Sequence, residues 1–351
     1  MTVSISRCVH SDVDDVRRFI DEHWKHDHVL ATSRELFDWQ YRDRDGAGYA
    51  LFLARRNSDA AVIGLLGYIP TRRFDAALSS SNVVWLSVWK VRDDGDVSGL
   101  GLQLLRAVRD SEPHCGIGAV GLNPATTPIY RALGYRVGEL DHYVFVNERL
   151  EAFRLARLSA GFVVPRSVSQ SAPLDMRVLS GPEEFASFNF EADQTSIPVK
   201  SGQYFRARYA EHPFYRYSLI GLADRGRAAG LLAVRTAEHA GTRALRIVDY
   251  AGETGVLTRI GPIVQRLLTE HQAEYADLYN AGIDPAMFQQ AGFARVDPDG
   301  PDIVPDHFEP FEARNVRLWY SFKGSSASRA PVLFKGDSDQ DRPNRLSAGA
   351  A

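Results

Sequence analysis

Cysteine, net charge and long apolar runs are all scarce in this sequence, and each shortage excludes a class of protein. The 351 residues include two cysteines, Cys8 and Cys115, which are too few for a disulfide framework or a cysteine-rich zinc site. A net charge of -3 argues against a protein that coats nucleic acid. No apolar run approaches the roughly 20 residues of a membrane helix, and Met1 to Arg7 lacks the apolar core of a signal peptide. We therefore expect a cytoplasmic protein without a nucleic-acid partner or a membrane span.

The length and the order of predicted elements indicate two similar domains. A chain of 351 residues has room for about two domains, and its 44% hydrophobic residues can supply a core for each. A polar stretch bounded by Pro165 and Pro173 predicts a linker. Beyond it the order of predicted helices and strands repeats that of the first half, which an internal duplication explains. The predicted segments are a domain at 1–160, a linker at 161–173, a second domain at 174–323 and a disordered tail at 324–351.

The stretch from Val83 to Tyr135 predicts a strand, a glycine turn, a helix, a second strand and a second helix. Val83 to Val91 is rich in β-branched and aromatic residues, as in a buried strand. Gly99 to Gly101 then leads into leucines at helical spacing. Such a helix entrance offers free backbone N–H groups and the positive end of the helix dipole to an anion. The two glycines could also serve only a tight turn between strand and helix.

A second motif follows one strand later, from Asn123 to Tyr135. Asn123 is suited to cap a helix that begins at Pro124 and ends at Gly134. Together with the glycine turn at matching spacing, this asparagine, tyrosine and glycine-aromatic pattern resembles the signature of the GNAT superfamily of acyl-CoA-dependent N-acyltransferases. The resemblance covers the first half well and the second half in outline. It implies an α/β (α+β) fold of two tandem GNAT-like mixed-sheet domains, the second of them degenerate.

The resemblance also implies acetyl-CoA or another acyl-CoA as co-substrate and assigns parts of its site. Pyrophosphate would lie on the backbone amides from Val97 to Leu102, and the pantetheine arm along Val88 to Val91. Tyr130 matches the residue that protonates the departing thiolate, a general-acid role that suits a phenol; a packed helix aromatic is the alternative. The residues assigned to acyl-CoA are Val88, Trp89, Val91, Val97, Ser98, Gly99, Leu100, Gly101, Leu102 and Asn123.

One residue near this site departs from the family pattern, and two others are expected to be structural. Asp96 stands where the family usually has a basic or amide residue, and its carboxylate would oppose the pyrophosphate charge. Trp85 and Trp89 are expected to point the same way from one strand, into the core or a pocket wall.

The attacking amine needs a proton acceptor, and the strand from Val83 to Val91 carries no carboxylate. His142 is the first choice because imidazole titrates near neutrality, although a hydrogen-bonded strand histidine would look the same in the sequence. The remaining candidates are Glu139, Asp141, His26 and His28. The loop with His23, His26 and His28 lacks the residue spacing of a metal site, so no metal is predicted.

The second half keeps only part of these motifs. Asp249 to Gly255, the counterpart of the helix entrance, has no glycine pair where the helix begins. Phe288 takes the place of Tyr130, although Asn280 is retained. We therefore predict that only the first half binds acyl-CoA productively, and that the second shapes the acceptor pocket or holds the architecture.

A second, less specific resemblance concerns the acceptor. Trp39 to Tyr41, Gly67 to Thr71 and Asp141 to Tyr143, beside the two motifs, are similar to tandem acyltransferase-like proteins of bacterial surface-polysaccharide pathways. This implies a small-molecule amine acceptor, above all a nucleotide-linked amino sugar, which receives an acetyl or other short acyl group. Two alternatives stay open: N-acylation of a non-sugar amine or amino-acid conjugate, and a non-catalytic binding protein on a decayed GNAT fold.

Overall fold

The structure, a computed structural model, describes residues 2–44, 46–93, 97–165, 172–188, 196–325 and 330–345. The strands of these segments are β1 (Val3–Arg7), β2 (Leu51–Arg56), β3 (Val62–Pro70), β4 (Val83–Val91), β5 (Gly116–Val120), β6 (Arg136–Val146), β7 (Asp175–Val178), β8 (Tyr217–Asp224), β9 (Arg227–His239), β10 (Thr242–Gly252), β11 (Ala273–Ala281), β12 (Ala294–Val296), β13 (Leu318–Gly324) and β14 (Leu333–Phe334). The α-helices are α1 (Val13–Phe19), α2 (Val29–Thr32), α3 (Arg34–Tyr41), α4 (Leu100–Ser111), α5 (Thr127–Ala132), α6 (Pro182–Ala186), α7 (Gly202–Phe205), α8 (Gly261–His271) and α9 (Pro285–Ala291). None of the helices in these segments combines the length and the hydropathy needed to cross a bilayer.

The strands form one large mixed sheet. Its path of hydrogen-bonded neighbours runs β1-β2-β3-β4-β5-β13-β6-β11-β10-β9-β8-β7, with β12 paired to β6 and β14 to β11 beside that path. Two neighbouring pairs on the path, β4 with β5 and β10 with β11, are parallel. The other neighbours on it are antiparallel. The predicted mixed-sheet α/β fold is therefore confirmed.

The two ends of the sheet have the same strand order and are joined by β6. Strands β1 to β5 lie side by side in chain order, and β7 to β11 repeat that order, each set ending in a parallel pair. Residues 136–140 of β6 pair with β13, whereas residues 141–146 pair with β11. The place between β5 and β6 is taken by β13, from the far end of the chain. Of the predicted linker, residues 166–171 lie outside the described residues.

A β-bulge on β4 changes which face of the sheet its side chains reach. In the ladder with β3, residues 87 and 88 together oppose Gly67. An extra residue in one strand reverses the alternation of faces beyond it. Trp85 therefore packs with Phe322 on one face, whereas Trp89 belongs to the layer under α4 on the other. The prediction that the two tryptophans point the same way is wrong because of this bulge.

Helix α4 covers the face of the sheet that carries Trp89. Its buried residues form one stripe along the helix, as expected for an amphipathic helix on a sheet; they are Leu100, Leu104, Leu105 and Val108. Leu104 approaches β3 at Gly64, where an added Cβ would lie 3.4 Å from the Leu104 Cδ1 atom. This packing holds the first turn of α4 beside the end of β4.

Residues 330–345 are packed into the fold, which corrects this part of the predicted disordered tail; residues 326–329 and 346–351 of it lie outside the described residues. Part of this stretch, residues 333–342, is called the C-terminal segment below. Four of its charged side chains are buried and each has a partner of opposite charge: Lys335 with Asp306, Asp337 with Lys200, Asp339 with Arg342 and Asp341 with Arg235. A charged composition predicts a solvated tail. Here the partners of three of these side chains lie in the second half of the chain, so local composition does not reveal them.

Candidate active site

A cleft opens where β4 and β5 separate. Their parallel ladder ends at the pair Trp85 and Gly118, whereas β4 continues to Val91 and β5 to Val120. The cleft has a volume of about 570 Å³, which is in the range of small-molecule sites. Its lining residues are Trp24, Leu86, Ser87, Trp89, Lys90, Val91, Val97, Gly99, Leu100, Gly101, Ala119, Val120, Gly121, Leu122, Asn123, Thr126, Ile129, Tyr130, Asp339, Gln340 and Arg342.

The C-terminal segment crosses the inner end of the cleft, where the two strands diverge. Ser338 Oγ donates a hydrogen bond of 3.4 Å to the carbonyl oxygen of Leu86, just past the end of the ladder. The Gln340 side chain fills the space in which a Cβ on Gly121 would stand, 2.0 Å from it. Gly121 also has φ +78°, a conformation that favours glycine. The inner wall of the cleft is therefore built by residues far from β4 and β5 in the sequence.

The cleft brings together most of the residues predicted to bind acyl-CoA. Val88 is an exception, since the bulge turns its side chain into the core on the opposite face. Ser98 and Leu102 are exposed beside the start of α4 and do not line the cleft. Asp96 lies outside the described residues. The predicted residues that do line it are Trp89, Val91, Val97, Gly99, Leu100, Gly101 and Asn123.

The first turn of α4 presents backbone donors to the cleft. Gly99 precedes the helix with φ +75°, a left-handed conformation that side chains disfavour. A Cβ on Gly101 would lie 3.3 Å from Trp89 Nε1, so the backbone approaches that ring closely. Among the described residues, the N–H groups of Gly101 and Leu102 have no hydrogen-bond acceptor. Free donors at the positive end of a helix dipole suit an anion such as a phosphate.

Tyr130 stands in the wall of the cleft, on α5. Its ring meets those of Trp89 and Tyr135 edge-on, with centroids 5.9 and 5.2 Å away. Burial, together with the neighbouring Tyr135, raises the pKa of Tyr130 above the ordinary value of tyrosine. The phenol therefore keeps its proton near neutral pH and can act there as a proton donor.

His142 lies away from this cleft, which contradicts its predicted place in one site with Tyr130. Its Nε2 atom is 2.9 Å from Asp277 Oδ2, and its ring stacks on Tyr279 with centroids 4.0 Å apart. Asp277 also accepts hydrogen bonds from Arg246. His142 lines a separate hollow of about 400 Å³, formed by residues 139–142 of β6, residues 295–298 and residues 315–317. The strand register places it there, because His142 belongs to the part of β6 that pairs with β11 in the second half.

The other predicted bases also lie outside the lining of the cleft. Three of them face charged partners: Glu139 with Arg317, Asp141 with Arg295 and His26 with Asp21. His28 is buried, with Nε2 2.7 Å from Arg342 Nη1. Burial, reinforced by the charge of Arg342, lowers the pKa of His28 to about 2. An imidazole with that pKa is a poor proton acceptor near neutral pH.

The cleft contains functional groups that the sequence did not reveal, on Trp24, Asp339, Gln340 and Arg342. Trp24 ends the π-helical turn that follows α1, and the Arg342 guanidinium lies 5.9 Å from the centre of its ring. Arg342 Nε also lies 3.2 Å from Asp339 Oδ2. No motif marks these positions, because the C-terminal segment meets the first half only in the folded chain.

The corresponding place in the second half is filled by the chain itself. The ladder of β10 with β11 ends at the pair Arg246 and Asp277. The end of β11 pairs instead with β14, and Asn280 Nδ2 donates a hydrogen bond of 2.9 Å to the carbonyl oxygen of Leu333. The C-terminal segment thus fills the space between the diverging strands β10 and β11, and it lines the cleft between β4 and β5.

The histidine-rich loop brings one set of possible metal ligands together. Ligand atoms of Asp21, His26 and Asp27 lie within 4.8 Å of one another, and His26 and Asp27 are exposed. The group does not line the cleft, and we assign no metal to it.

Comparisons with known proteins bear on the fold. No family model and no curated protein matches the chain. A GCN5-related N-acetyltransferase from Anabaena variabilis is 12% identical, with a TM-score of 0.53 over 93% of this chain and 75% of that one. One from Kribbella flavida is 14% identical, with a TM-score of 0.53 over 93% and 74%. A glucosamine N-acetyltransferase region of a fungal multi-domain β-N-acetylglucosaminidase is 12% identical, with a TM-score of 0.50 over 91% and 38%. The chain has the fold of the GCN5-related N-acetyltransferases.

Proposed function

We propose that the protein is an acyl-CoA-dependent N-acyltransferase, which moves an acetyl or other short acyl group to the amine of a small acceptor. One observation carries this proposal. The cleft between the diverging strands β4 and β5 has the start of α4, with the free N–H groups of Gly101 and Leu102, on one side and the protonated phenol of Tyr130 in its wall. Such a cleft could hold a phosphate and the extended pantetheine arm of acyl-CoA, and it supplies a proton donor.

Acyl-CoA would lie along the free edge of β4. Residues 86–91 span about 17 Å at roughly 3.3 Å per residue, and they make no ladder with β5. The N–H groups of Gly101 and Leu102 would receive the pyrophosphate. The pantetheine amides would pair with the backbone groups of β4, since buried peptide groups need partners. The thioester would then come to the inner part of the cleft, beside Tyr130.

The reaction would be a direct attack of the acceptor amine on the thioester carbonyl. The C–N bond forms, the C–S bond breaks, and Tyr130 gives its phenolic proton to the departing sulfur. The phenol carries its proton near neutral pH, as an ordinary tyrosine does, so that the proton is present when the thiolate leaves.

As acceptor we propose a nucleotide-linked amino sugar. Trp24 offers an aromatic face for a sugar ring, and Ser87 and Gln340 offer hydrogen-bonding groups in the same cleft. The fungal neighbour is described as a glucosamine N-acetyltransferase region, so amino sugars are the first acceptors to test. A non-sugar amine or amino-acid conjugate would use the same groups. A decayed fold that only binds its ligand would show no turnover.

We also propose that two units share the sheet, at residues 1–160 and 174–323, and that the second is degenerate. The repeated strand order supports this division. Strand β14 pairs with the end of β11, where β10 and β11 diverge, and this supports the loss of a ligand site there. The second unit would hold the architecture and supply β13 to the sheet of the first.

Binding of acetyl-CoA, measured by calorimetry, tests the proposed site. Gly99→Val should weaken binding about tenfold or more, equivalent to roughly 1.4 kcal/mol, because the side chain would distort the turn before α4. Gly226→Val is the matched control, since Gly226 has φ +79° and, like Gly99, has no atom of the described residues near an added Cβ. Its effect on binding should be negligible. An intact protein that does not bind acetyl-CoA would exclude the proposed function.

An acceptor screen by mass spectrometry tests the second substrate. Amino-sugar nucleotides, amino acids and polyamines are each incubated with acetyl-CoA and the protein, and the acylated product is identified by its mass. Acylation of an amino-sugar nucleotide supports the proposed acceptor. Acylation of non-sugar amines alone would replace it, and binding of acetyl-CoA without any product would favour a non-catalytic protein.

A further inference from the structure

Asp339 is the one carboxylate among the described residues that line the cleft. It belongs to the C-terminal segment, and its side chain is 5% exposed. Ser338 bonds to Leu86 on β4 and Gln340 packs on Gly121 at the end of β5. Asp339, between these two anchors, is therefore held at the inner end of the cleft, where the thioester would lie.

The protein holds the Asp339 carboxylate loosely. It accepts hydrogen bonds from Gln40 Nε2 at 3.4 Å, Gln340 Nε2 at 3.2 Å and Arg342 Nε at 3.2 Å. Bonds from a cation to a carboxylate are ordinarily about 2.7–2.9 Å long. A carboxylate also has about four acceptor positions, so Asp339 retains capacity for a further donor.

The neighbouring acids of the same segment are bound more tightly. Asp341 accepts bonds of 2.8–3.0 Å from Arg235 and one of 2.6 Å from Tyr217. Asp337 lies 2.7 Å from Lys200 Nζ and accepts a bond of 2.7 Å from the backbone N–H of Phe334. Both face the second half. Of these three acids, Asp339 has the longest contacts and is the one that lines the cleft.

We propose that Asp339 is the catalytic base for the acceptor, and that the acceptor is an amine that arrives as its ammonium ion. The proposal rests on the proposed acyl-CoA chemistry of the same cleft. The carboxylate binds the ammonium group at its open acceptor position and takes one proton from it. This fills the role for which His142 was predicted, because His142 does not line the cleft.

Two protons leave the nitrogen as the ammonium ion becomes the amide. The ammonium gives one proton to Asp339, and the neutral amine forms the C–N bond as the C–S bond breaks. Tyr130 protonates the sulfur, and the second proton lost by the nitrogen restores the phenol. Asp339 then releases its proton to water, so that the products are the amide, CoA thiol and one proton.

Two titratable side chains near Asp339 have pKa values shifted away from neutral pH. Arg342 lies beside it on the same segment. Burial and the charge of Asp339 raise the pKa of Tyr41 on α3 above the ordinary value. Burial lowers the pKa of His28, behind Arg342, to about 2. Neither of these two groups therefore changes charge in a pH profile between about pH 6 and about pH 8.

Asp339→Asn tests the proposal with acetyl-CoA and the amine of the acceptor screen that reacts fastest. We expect kcat/KM at about pH 7 to fall about 100-fold, with the Kd for acetyl-CoA unchanged. The rate of the variant should rise about tenfold per pH unit, as the fraction of neutral amine does, while that of the intact protein changes little. Asp337→Asn removes an acid of the same segment that faces away from the cleft, and should keep the rate and profile of the intact protein.

Asp339→Glu keeps a carboxylate and guards against a folding defect. It should retain the flat pH profile even where its rate is lower. The proposal is overturned if Asp339→Asn transfers the acyl group as fast as the intact protein, or if the two pH profiles are parallel. If the intact protein itself binds no acetyl-CoA or acylates no amine of the screen, the proposed function fails instead.

Discussion

At the scale of single residues, Tyr130 and Tyr135 form a natural pair for comparison. Both are buried, their ring centroids lie 5.2 Å apart, and burial raises the pKa of both, that of Tyr135 to about 12. Tyr130 lines the cleft, whereas Tyr135 does not. The Tyr135 hydroxyl is buried without a hydrogen-bond partner among the described residues. Position relative to the cleft, and not the chemistry of the phenol, distinguishes the two.

Tyr130→Phe should lower kcat about 100-fold, because the thiolate would leave without a positioned proton donor. The Kd for acetyl-CoA should change less than about twofold, since the ring is retained. Tyr135→Phe should alter neither quantity. Steady-state kinetics and calorimetry on the same preparations measure both, and unchanged turnover in Tyr130→Phe would remove its role as the acid.

At the scale of elements, α4 both packs on the sheet and presents the predicted phosphate site. Leu104 is fully buried beneath the helix, whereas Leu102 in the first turn is 45% exposed. The two leucines therefore separate the packing role of α4 from its exposed face. The bulge on β4 acts at the same scale, since it sends Trp89 to the cleft and Val88 to the core.

Leu104→Ala should lower the free energy of unfolding by about 2–5 kcal/mol, because it leaves a cavity between α4 and the sheet. Leu102→Ala should change it by less than about 0.5 kcal/mol, since its side chain is half exposed. Urea denaturation followed by circular dichroism gives both values. Similar small losses in the two variants would mean that α4 is not anchored as described.

At the scale of the whole molecule, buried charges tie the C-terminal segment to the second half of the chain. Lys200 Nζ lies 2.5 Å from Asp249 and 2.7 Å from Asp337. Burial raises the pKa of Asp337 from its ordinary 3.8 to about 6, although the charge of Lys200 acts in the opposite direction. Between these values the folded chain keeps a proton that the unfolded chain has lost. The contribution of Asp337 to stability therefore falls as the pH rises through this window.

Asp337→Asn should remove the loss of folding stability that the titration of Asp337 causes as the pH rises. Between about pH 4 and about pH 6, the stability of the variant relative to the unaltered protein should increase, by an amount on the order of 2 kcal/mol. Urea denaturation at successive pH values measures the difference, with the exposed Asp14→Asn as control. If the two stability profiles run parallel through this window, Asp337 is not the group that titrates there.

Local sequence determined the mixed α/β architecture and one wall of the cleft. Gly99 has the positive φ expected of a glycine turn before a helix. Asn123 accepts a hydrogen bond of 3.0 Å from the N–H of Ala125, as the predicted cap requires. Tyr130 follows on the same helix, in the wall of the cleft. These features depend on residues a few positions apart, so their spacing in the sequence was sufficient to predict them.

The tertiary structure alone decided which side chains from the rest of the chain reach that cleft. His142 was assigned to the second half by the register of β6, and Asp339 was brought to the first by a segment that the composition described as a disordered tail. Strand pairing and buried ion pairs join residues that are far apart in the chain. The composition of a segment shows which charges it carries, but it does not show which distant residues neutralise them. The wall of the cleft that α4, β4 and α5 build could therefore be predicted from the sequence, whereas the wall that the C-terminal segment builds was set by long-range pairing.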